Sequence, residues 1–404
     1  MRSTLLVMLL VFAPTVAIAQ TPAPLTLHGV VGSALGASGT QTAAATVQSS
    51  QRAATGASAS PQLSAGLVYG LAPQLPGPAQ TSLTEQLGLD FSSPGTREGQ
   101  LFLVRANAAQ AQATLLQTRI TVMQSASVAF FAVASDQAQL QAAYESVALG
   151  RRSLQAAQDR HRVGLAPLVD VERVRAALAS AQADQAAATA ALSGDRESLV
   201  SFIGASSGTA QLPSLAPLPA LAQITALAPL ASPPAVLALV QLDAAQASEL
   251  LARGALQPVL SVGAGVSQLR QSGIGSNGPA LNAGLTFPIA SSIGRASIGV
   301  AHAQVASARA AYAALARDAI RNALALRAQA AAAAARLPAL RTAFDEANRV
   351  AQSSLAGYRL GAVSSADLVA AQTQLAAARR ALAVGMVDAS RALALLNVTL
   401  GVEP

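Results

Sequence analysis

The chain has 404 residues, of which 52% are hydrophobic, 3% are aromatic and 11% are charged. It contains no cysteine, which excludes disulfides and thiolate metal sites. Every basic residue is an arginine, and the arginines are dispersed, so the net charge of +7 does not indicate a nucleic-acid-binding surface. Apolar content dominated by alanine is typical of long, closely packed helices.

The first 19 residues have the features of a cleavable secretory signal. Arg2 precedes an apolar run from Leu5 to Phe12, and Ala17-Ile18-Ala19 stands ahead of Gln20. We therefore expect an exported protein whose mature chain begins at Gln20. Prolines interrupt the most apolar later stretch, so we expect no helical membrane anchor.

After a predicted helix from Thr26 to Gly56, the hydrophobic period changes to two. Apolar residues alternate with small or polar ones over 62–71 and 83–91, with a loop rich in proline and glycine between them. The apolar face is interrupted at Glu85. This pattern predicts a pair of β-strands joined by an exposed loop.

A second strand pair is predicted after Pro258, over 260–267 and 281–289, with Val262 and Leu285 on the apolar face and Asn282 on the small or polar face. Strands of about ten residues suit a tilted membrane-spanning sheet with an apolar lipid face, and a soluble four-stranded sheet is the alternative. Four strands cannot close a barrel, and open edges are not tolerated in lipid. In a membrane the chain must therefore oligomerise, and a trimer would supply twelve strands.

A long helical stretch follows each strand pair, over 99–161 and 297–358. A helix of about 60 residues is roughly 90 Å long, three times the hydrocarbon thickness of a bilayer. Apolar positions in the first stretch follow a 3/4 spacing with one phase shift, which is typical of a coiled coil with a stutter.

Each long helix leads into a glycine-containing turn and a second helix. Arg162 to Pro167 precedes a helix that carries Asp170, and Arg359 to Ser364 precedes one that carries Asp367, 197 positions later. The unit of strand, strand, long helix, turn and helix therefore occurs twice.

This repetition divides the chain into a signal segment, two repeats and a linker rich in proline, alanine and leucine. The linker is predicted to be an irregular belt around the helices. The predicted segments are 1–19 (signal), 20–205 (first repeat), 206–234 (linker) and 235–404 (second repeat).

These motifs resemble those of the outer-membrane efflux protein family, the TolC-like channel-tunnels. The resemblance rests on Val163-Gly164-Leu165 with Asp170, on Tyr358-Arg359-Leu360-Gly361 with Asp367, and on the closing segment 392–401. It implies a mostly α-helical homotrimer with a transmembrane β element. Four strands per chain would form a 12-stranded outer-membrane barrel, and long antiparallel helices a coiled-coil tunnel through the periplasm.

The resemblance also implies the partners of the two glycine turns. In the family such turns form a periplasmic tip that docks on the helical hairpins of a membrane-fusion adaptor, which links the duct to an inner-membrane pump. The residues that would form this tip are Arg162, Val163, Gly164, Leu165, Arg359, Leu360, Gly361 and Ala362.

The resemblance also implies that Asp367 and Asp170 are candidates for a gate facing the lumen. Both also stand at a helix start, where a carboxylate caps amide groups and meets the positive end of the helix dipole. Ala370 stands where well-known members carry a second aspartate, and Val363 where some members carry an arginine that latches the tip. We therefore do not expect residue 363 to form a salt-bridge latch with Asp170.

The sequence contains no pattern typical of an enzyme, a cofactor site or a metal site. Gly273 to Gly278 matches a dinucleotide-binding motif, but Pro279 and a strand follow it, so it is predicted to be a hairpin loop. His28, His161 and His302 lack metal-ligand spacing.

We expect an exit duct that passively conducts small molecules in a tripartite efflux system. Two alternatives stay open. One is an outer-membrane duct for type I protein secretion. The other is a soluble periplasmic coiled-coil scaffold, which would leave the alternating strands without a role.

Overall fold

The computed structural model describes residues 25–36, 38–56, 62–72, 80–91, 94–204, 209–213, 217–271, 274–286 and 292–402. The predicted signal segment lies outside these residues. The elements are, in chain order, β1 (Leu25–Thr26), α1 (Leu27–Leu35), α2 (Ser38–Gly56), β2 (Gln62–Ala72), β3 (Gln80–Phe91), α3 (Pro94–Arg162), α4 (Leu168–Ile203), β4 (Ala210–Gln211), α5 (Leu221–Ala231), α6 (Pro233–Gly254), β5 (Val259–Gln271), β6 (Ile274–Thr286), α7 (Ser292–Leu360) and α8 (Ser365–Thr399).

Two helices of 69 residues, α3 and α7, dominate the chain. At 1.5 Å per residue each extends about 100 Å. Helix α3 packs along α4 and α8, and α7 packs along α8, so the four helices form two hairpins joined through α3 and α8. Both halves contain the order of elements predicted from the sequence, which is strand, strand, long helix, turn and helix.

The close approach of these helices depends on small residues. A Cβ on Gly385 of α8 would lie 2.5 Å from Leu340 Cδ1 on α7, and one on Gly150 of α3 would lie 3.1 Å from Leu178 Cδ1 on α4. Polar contacts join α3 to α8: Arg379 Nε lies 2.8 Å from Glu145 Oε2, and Gln372 donates a hydrogen bond to the buried Ser153 hydroxyl.

Four long strands form one antiparallel sheet in the order β2-β3-β5-β6. They have 11 to 13 residues each, slightly more than the 9 to 11 or so that a tilted strand needs to cross a bilayer. Strands β2 and β6 each have an edge without a partner within the described residues. Val262 and Leu285, both assigned to the apolar face from the sequence, are exposed in the single chain.

The second strand pair differs from its prediction at the turn. Gly275 to Gly278, expected in a hairpin loop, belong to β6 and pair with β5 from Arg270 to Ser267. The connection is therefore no longer than 272–273, a length typical of antiparallel hairpins, and the glycines lie in the ladder. The predicted strand end at Phe287 to Ile289 lies outside the described residues.

The linker was expected to be irregular, and this was wrong for much of its length. Strand β4 pairs with β1 in parallel, and α5 is a helix of 11 residues despite Pro229. Ile224 and Ala228 of α5 are buried in a cluster with Ala323 of α7 and Leu396 of α8, and this packing outweighs the cost of the proline. The predicted helix over Thr26 to Gly56 is likewise divided, into α1 and α2, near Gly36 and Gly39.

The largest core cluster lies where α1, α3, α4 and α8 meet. Phe130 and Phe131 of α3 are fully buried there and stack edge to face, with ring centroids 5.2 Å apart. Among the described helices, α6 and α8 are long and apolar enough to cross a membrane by length and composition alone. Both pack lengthwise on α3 and α7.

Candidate docking tips and gate residues

Both helical hairpins reverse direction through the same backbone motif. In the first tip, Gly164 has φ +76°, its N–H donates to the His161 carbonyl at 2.9 Å, and the Leu165 N–H donates to the Arg160 carbonyl at 2.8 Å. This is a Schellman motif, in which a left-handed residue satisfies the last carbonyls of a helix. A glycine is favoured there because a side chain strains that conformation.

The second tip repeats the motif. Gly361 has φ +85°, and its N–H donates to the Tyr358 carbonyl at 3.1 Å. The Ala362 N–H donates to the Gly357 carbonyl at 2.8 Å. The duplicated glycines of the sequence therefore have a structural reason that is independent of any partner.

The tips expose large apolar side chains. Leu360 is 86% exposed, Leu165 67% and Val163 63%, and Leu168 and Val169 at the start of α4 are also exposed. Single exposed leucines are ordinary on protein surfaces, whereas a contiguous group marks an interaction surface. Val163, Leu165 and Leu360 are among the residues predicted to dock on a partner, and that role stays a prediction.

Ser364 caps the start of α8, and Asp367 lies in the first turn of that helix. The Ser364 hydroxyl accepts a hydrogen bond from the Asp367 N–H at 3.1 Å and donates one to Asp367 Oδ2 at 2.7 Å. The residue is exposed. The Asp367 carboxylate therefore meets the Ser364 hydroxyl where the sequence predicted contact with backbone amides, and its gating role stays a prediction.

Asp170 joins the two hairpins. The Ser365 hydroxyl at the start of α8 donates to Asp170 Oδ1 at 2.6 Å, and Arg173 Nη1 lies 3.6 Å from the same oxygen. Arg173 Nη1 also donates to Ser365 Oγ at 2.7 Å, and Ser365 is buried. The carboxylate thus has a serine and an arginine as partners, neither of which was singled out from the sequence.

Arg160 makes a second connection between the tips, also not expected from the sequence. Its Nη2 donates to the Leu165 carbonyl of its own tip at 3.1 Å, and its Nη1 donates to the Tyr358 carbonyl of the other tip. Its guanidinium carbon lies 4.7 Å from the centroid of the Tyr358 ring. We call this contact among Arg160, Leu165 and Tyr358 the clasp.

Tyr358 is fully buried beneath the clasp. Its hydroxyl has no hydrogen-bond partner within the described part of the chain. Burial raises the pKa of Tyr358, the negative charge of Asp170 raises it further, and the positive charge of Arg160 opposes the shift. The phenol is therefore neutral at physiological pH, and the clasp acts through its ring and its backbone carbonyl.

Of the sequence-predicted tip residues, Leu165 takes part in the clasp through its carbonyl. Arg162 instead forms an exposed ion pair with Asp159 on the same helix, at 3.0 Å. The described residues contain no group of three or more histidine, aspartate and glutamate side chains that could hold a metal ion.

The sequence matches the profile of a known protein family. The sequence profile of the family described as outer membrane efflux protein matches residues 37–205 and 230–402, most of the chain. No curated protein matches at a significant level.

Several solved structures share the fold. The chain is similar to CusC, with a TM-score of 0.78, 19% identity and 96% coverage of each chain. It is also similar to VceC from Vibrio cholerae, with a TM-score of 0.74 and 19% identity, covering 93% of this chain and 96% of that one. The open state of MtrE from Neisseria gonorrhoeae matches with a TM-score of 0.66 and 20% identity, over 93% and 89% of the two chains.

Proposed function

Because this chain belongs to the outer membrane efflux protein family, we propose that it acts as the trimeric exit duct of a tripartite efflux system. It lies in the outer membrane and extends into the periplasm. A periplasmic adaptor would bind its tips, and an inner-membrane pump would deliver small molecules that the duct conducts passively.

The observation that carries this proposal is the open sheet joined to two very long helices. The sheet has strands long enough to cross a bilayer and two edges without partners, β2 and β6. Unpaired strand edges are excluded from hydrocarbon, so a membrane location requires the edges of neighbouring chains to pair. Three copies supply twelve strands, above the smallest closed membrane barrels of about eight.

The helices support the periplasmic part of the proposal. Helices α3 and α7 run about 100 Å from the sheet, far beyond the roughly 30 Å hydrocarbon core. Their far ends carry the exposed apolar tips, which is where an adaptor would meet the duct. The proposed docking residues are Arg162, Val163, Gly164, Leu165, Arg359, Leu360, Gly361 and Ala362.

Three measurements test the proposal. The protein purified in detergent should have the native mass of a trimer, and it should form discrete conducting channels in a planar lipid bilayer. Cells lacking the protein should accumulate a fluorescent efflux substrate, and the wild-type gene should reverse the accumulation. A stable monomer that fractionates with the soluble periplasm would instead support the scaffold alternative.

A further inference from the structure

A cleft lies between the two tips, where α3 and α7 end. Its volume is about 450 Å³, and residues of a single chain line it, so no second copy is needed to form it. The lining residues are Arg152, Gln155, Ala156, Asp159, Arg160, Arg162, Val163, Leu165 and Arg359.

The cleft is strongly basic. Four of its lining residues are arginines, and its one acidic residue, Asp159, already pairs with Arg162. Arg160 donates to the two carbonyls of the clasp. Arg152 and Arg359 are exposed and have no ion-pair partner within the described ranges, so two guanidinium groups are available to a ligand.

One wall of the cleft is apolar. Val163 and Leu165 line it and are each more than 60% exposed. An inorganic anion would use the arginines and leave this wall in water. A protein segment that carries an acidic side chain beside apolar ones would use both.

We infer that the cleft binds an aspartate or glutamate side chain on the helical hairpin of the periplasmic adaptor, an inference that rests on the proposed function. Guanidinium groups bind carboxylates through paired N–H donors, which fixes orientation as well as charge. A second copy of this chain is a poor occupant, because its own tips are basic and like charges oppose each other at an interface.

Crosslinking identifies the occupant. A photoreactive amino acid replaces Gln155, an exposed residue of the cleft, in the full-length protein in its host cells. We expect a crosslink to a periplasmic helical hairpin, within one helical turn of an aspartate or glutamate. Crosslinks only to another copy of this chain, or to a hairpin without an acidic residue nearby, would overturn the inference.

Charge reversal then tests the chemistry with the adaptor identified in this way. The double variant Arg152→Glu and Arg359→Glu should bind the purified adaptor about tenfold or more weakly, and the affinity should depend less on salt. Replacing the crosslinked acidic residue of the adaptor by arginine should restore binding to this variant and weaken binding to the wild type. Arg309→Glu, the same type of substitution with half the charge change, at an exposed site on α7 far from the tip, should leave the affinity unchanged.

The experiments distinguish a failure of the cleft inference from a failure of the proposed duct function. Unchanged adaptor affinity in the double variant, with efflux intact, would remove the cleft from the docking site and leave the duct function standing. An adaptor that binds neither the variant nor the wild type would overturn both.

Discussion

Replacing Arg160 by alanine should loosen the second tip while leaving the first tip folded. The substitution removes a charged donor from the Leu165 and Tyr358 carbonyls and a cation–π contact from the Tyr358 ring. A hydrogen bond to a charged group contributes about 1.5–3 kcal/mol and an exposed cation–π contact about 0.5–1 kcal/mol. Because Arg160 is half-buried, and water replaces part of what is lost, we expect a local cost of about 2 kcal/mol.

Hydrogen–deuterium exchange read by mass spectrometry measures this cost. A loss of about 2 kcal/mol corresponds to roughly 30-fold faster exchange of the amides that close the second tip, notably Ala362 N–H. Arg162→Ala is the matched control, because it removes only an exposed ion pair within α3 that contributes about 0.5 kcal/mol or less. Exchange at Ala362 that is unchanged in Arg160→Ala, or equal in the two variants, would refute the clasp.

Three further predictions concern the sheet, the turns and the buried tyrosine. Leu285→Arg, at an exposed apolar position of β6, should cost about 2–4 kcal/mol and reduce membrane insertion. Asn282→Arg, which lies on the other face by alternation, should insert normally and change the channel conductance. Equal insertion yields of the two variants would show that the faces are assigned wrongly. Gly361→Leu should lower export while the trimer yield in detergent stays near normal. The substitution strains the left-handed turn and places a new Cβ 3.4 Å from the Arg160 guanidinium, but this strain is local and lies about 100 Å from the sheet. A parallel loss of trimer would show that the glycine is needed for folding. Since the folded pKa of Tyr358 is raised, the contribution of the neutral phenol to stability is complete below pH 10 and is lost as the pH rises through the folded pKa. Above pH 10 the thermal stability of Tyr358→Phe should therefore fall less than that of the wild type. Superimposable pH profiles of the two proteins would count against the burial of a neutral phenol.

Local patterns predicted the parts of the fold that depend on local interactions. The long helices were located within about five residues at each end, because alanine-rich sequence favours a continuous helix, which in α7 continues through Pro338. The turns at Gly164 and Gly361 were located because glycine marks a left-handed helix end. The strand pairs followed from a period of two in hydrophobicity.

The remaining features depend on residues that are distant in sequence. Arg160 meets Tyr358 and Asp170 meets Ser365 across 198 and 195 positions, and no short-range pattern records such pairs. Helix α5 forms despite Pro229 because its buried face packs on α7 and α8. The glycines of β6 were interpreted as a loop because a glycine-rich motif carries no sign of the strand it pairs with.

The clasp also makes the two halves of the repeat unequal. Arg160 aligns with Gly357 in the second half, and a Cβ on Gly357 would lie 2.7 Å from Val363 Cγ2, so the second tip has no room for an arginine of its own. In the proposed trimer, six tips of two alternating kinds would surround the axis, and the ring would have threefold rather than sixfold symmetry. Six identical adaptor hairpins would therefore meet two classes of site, and titration of the duct with adaptor should fill them in two steps of three.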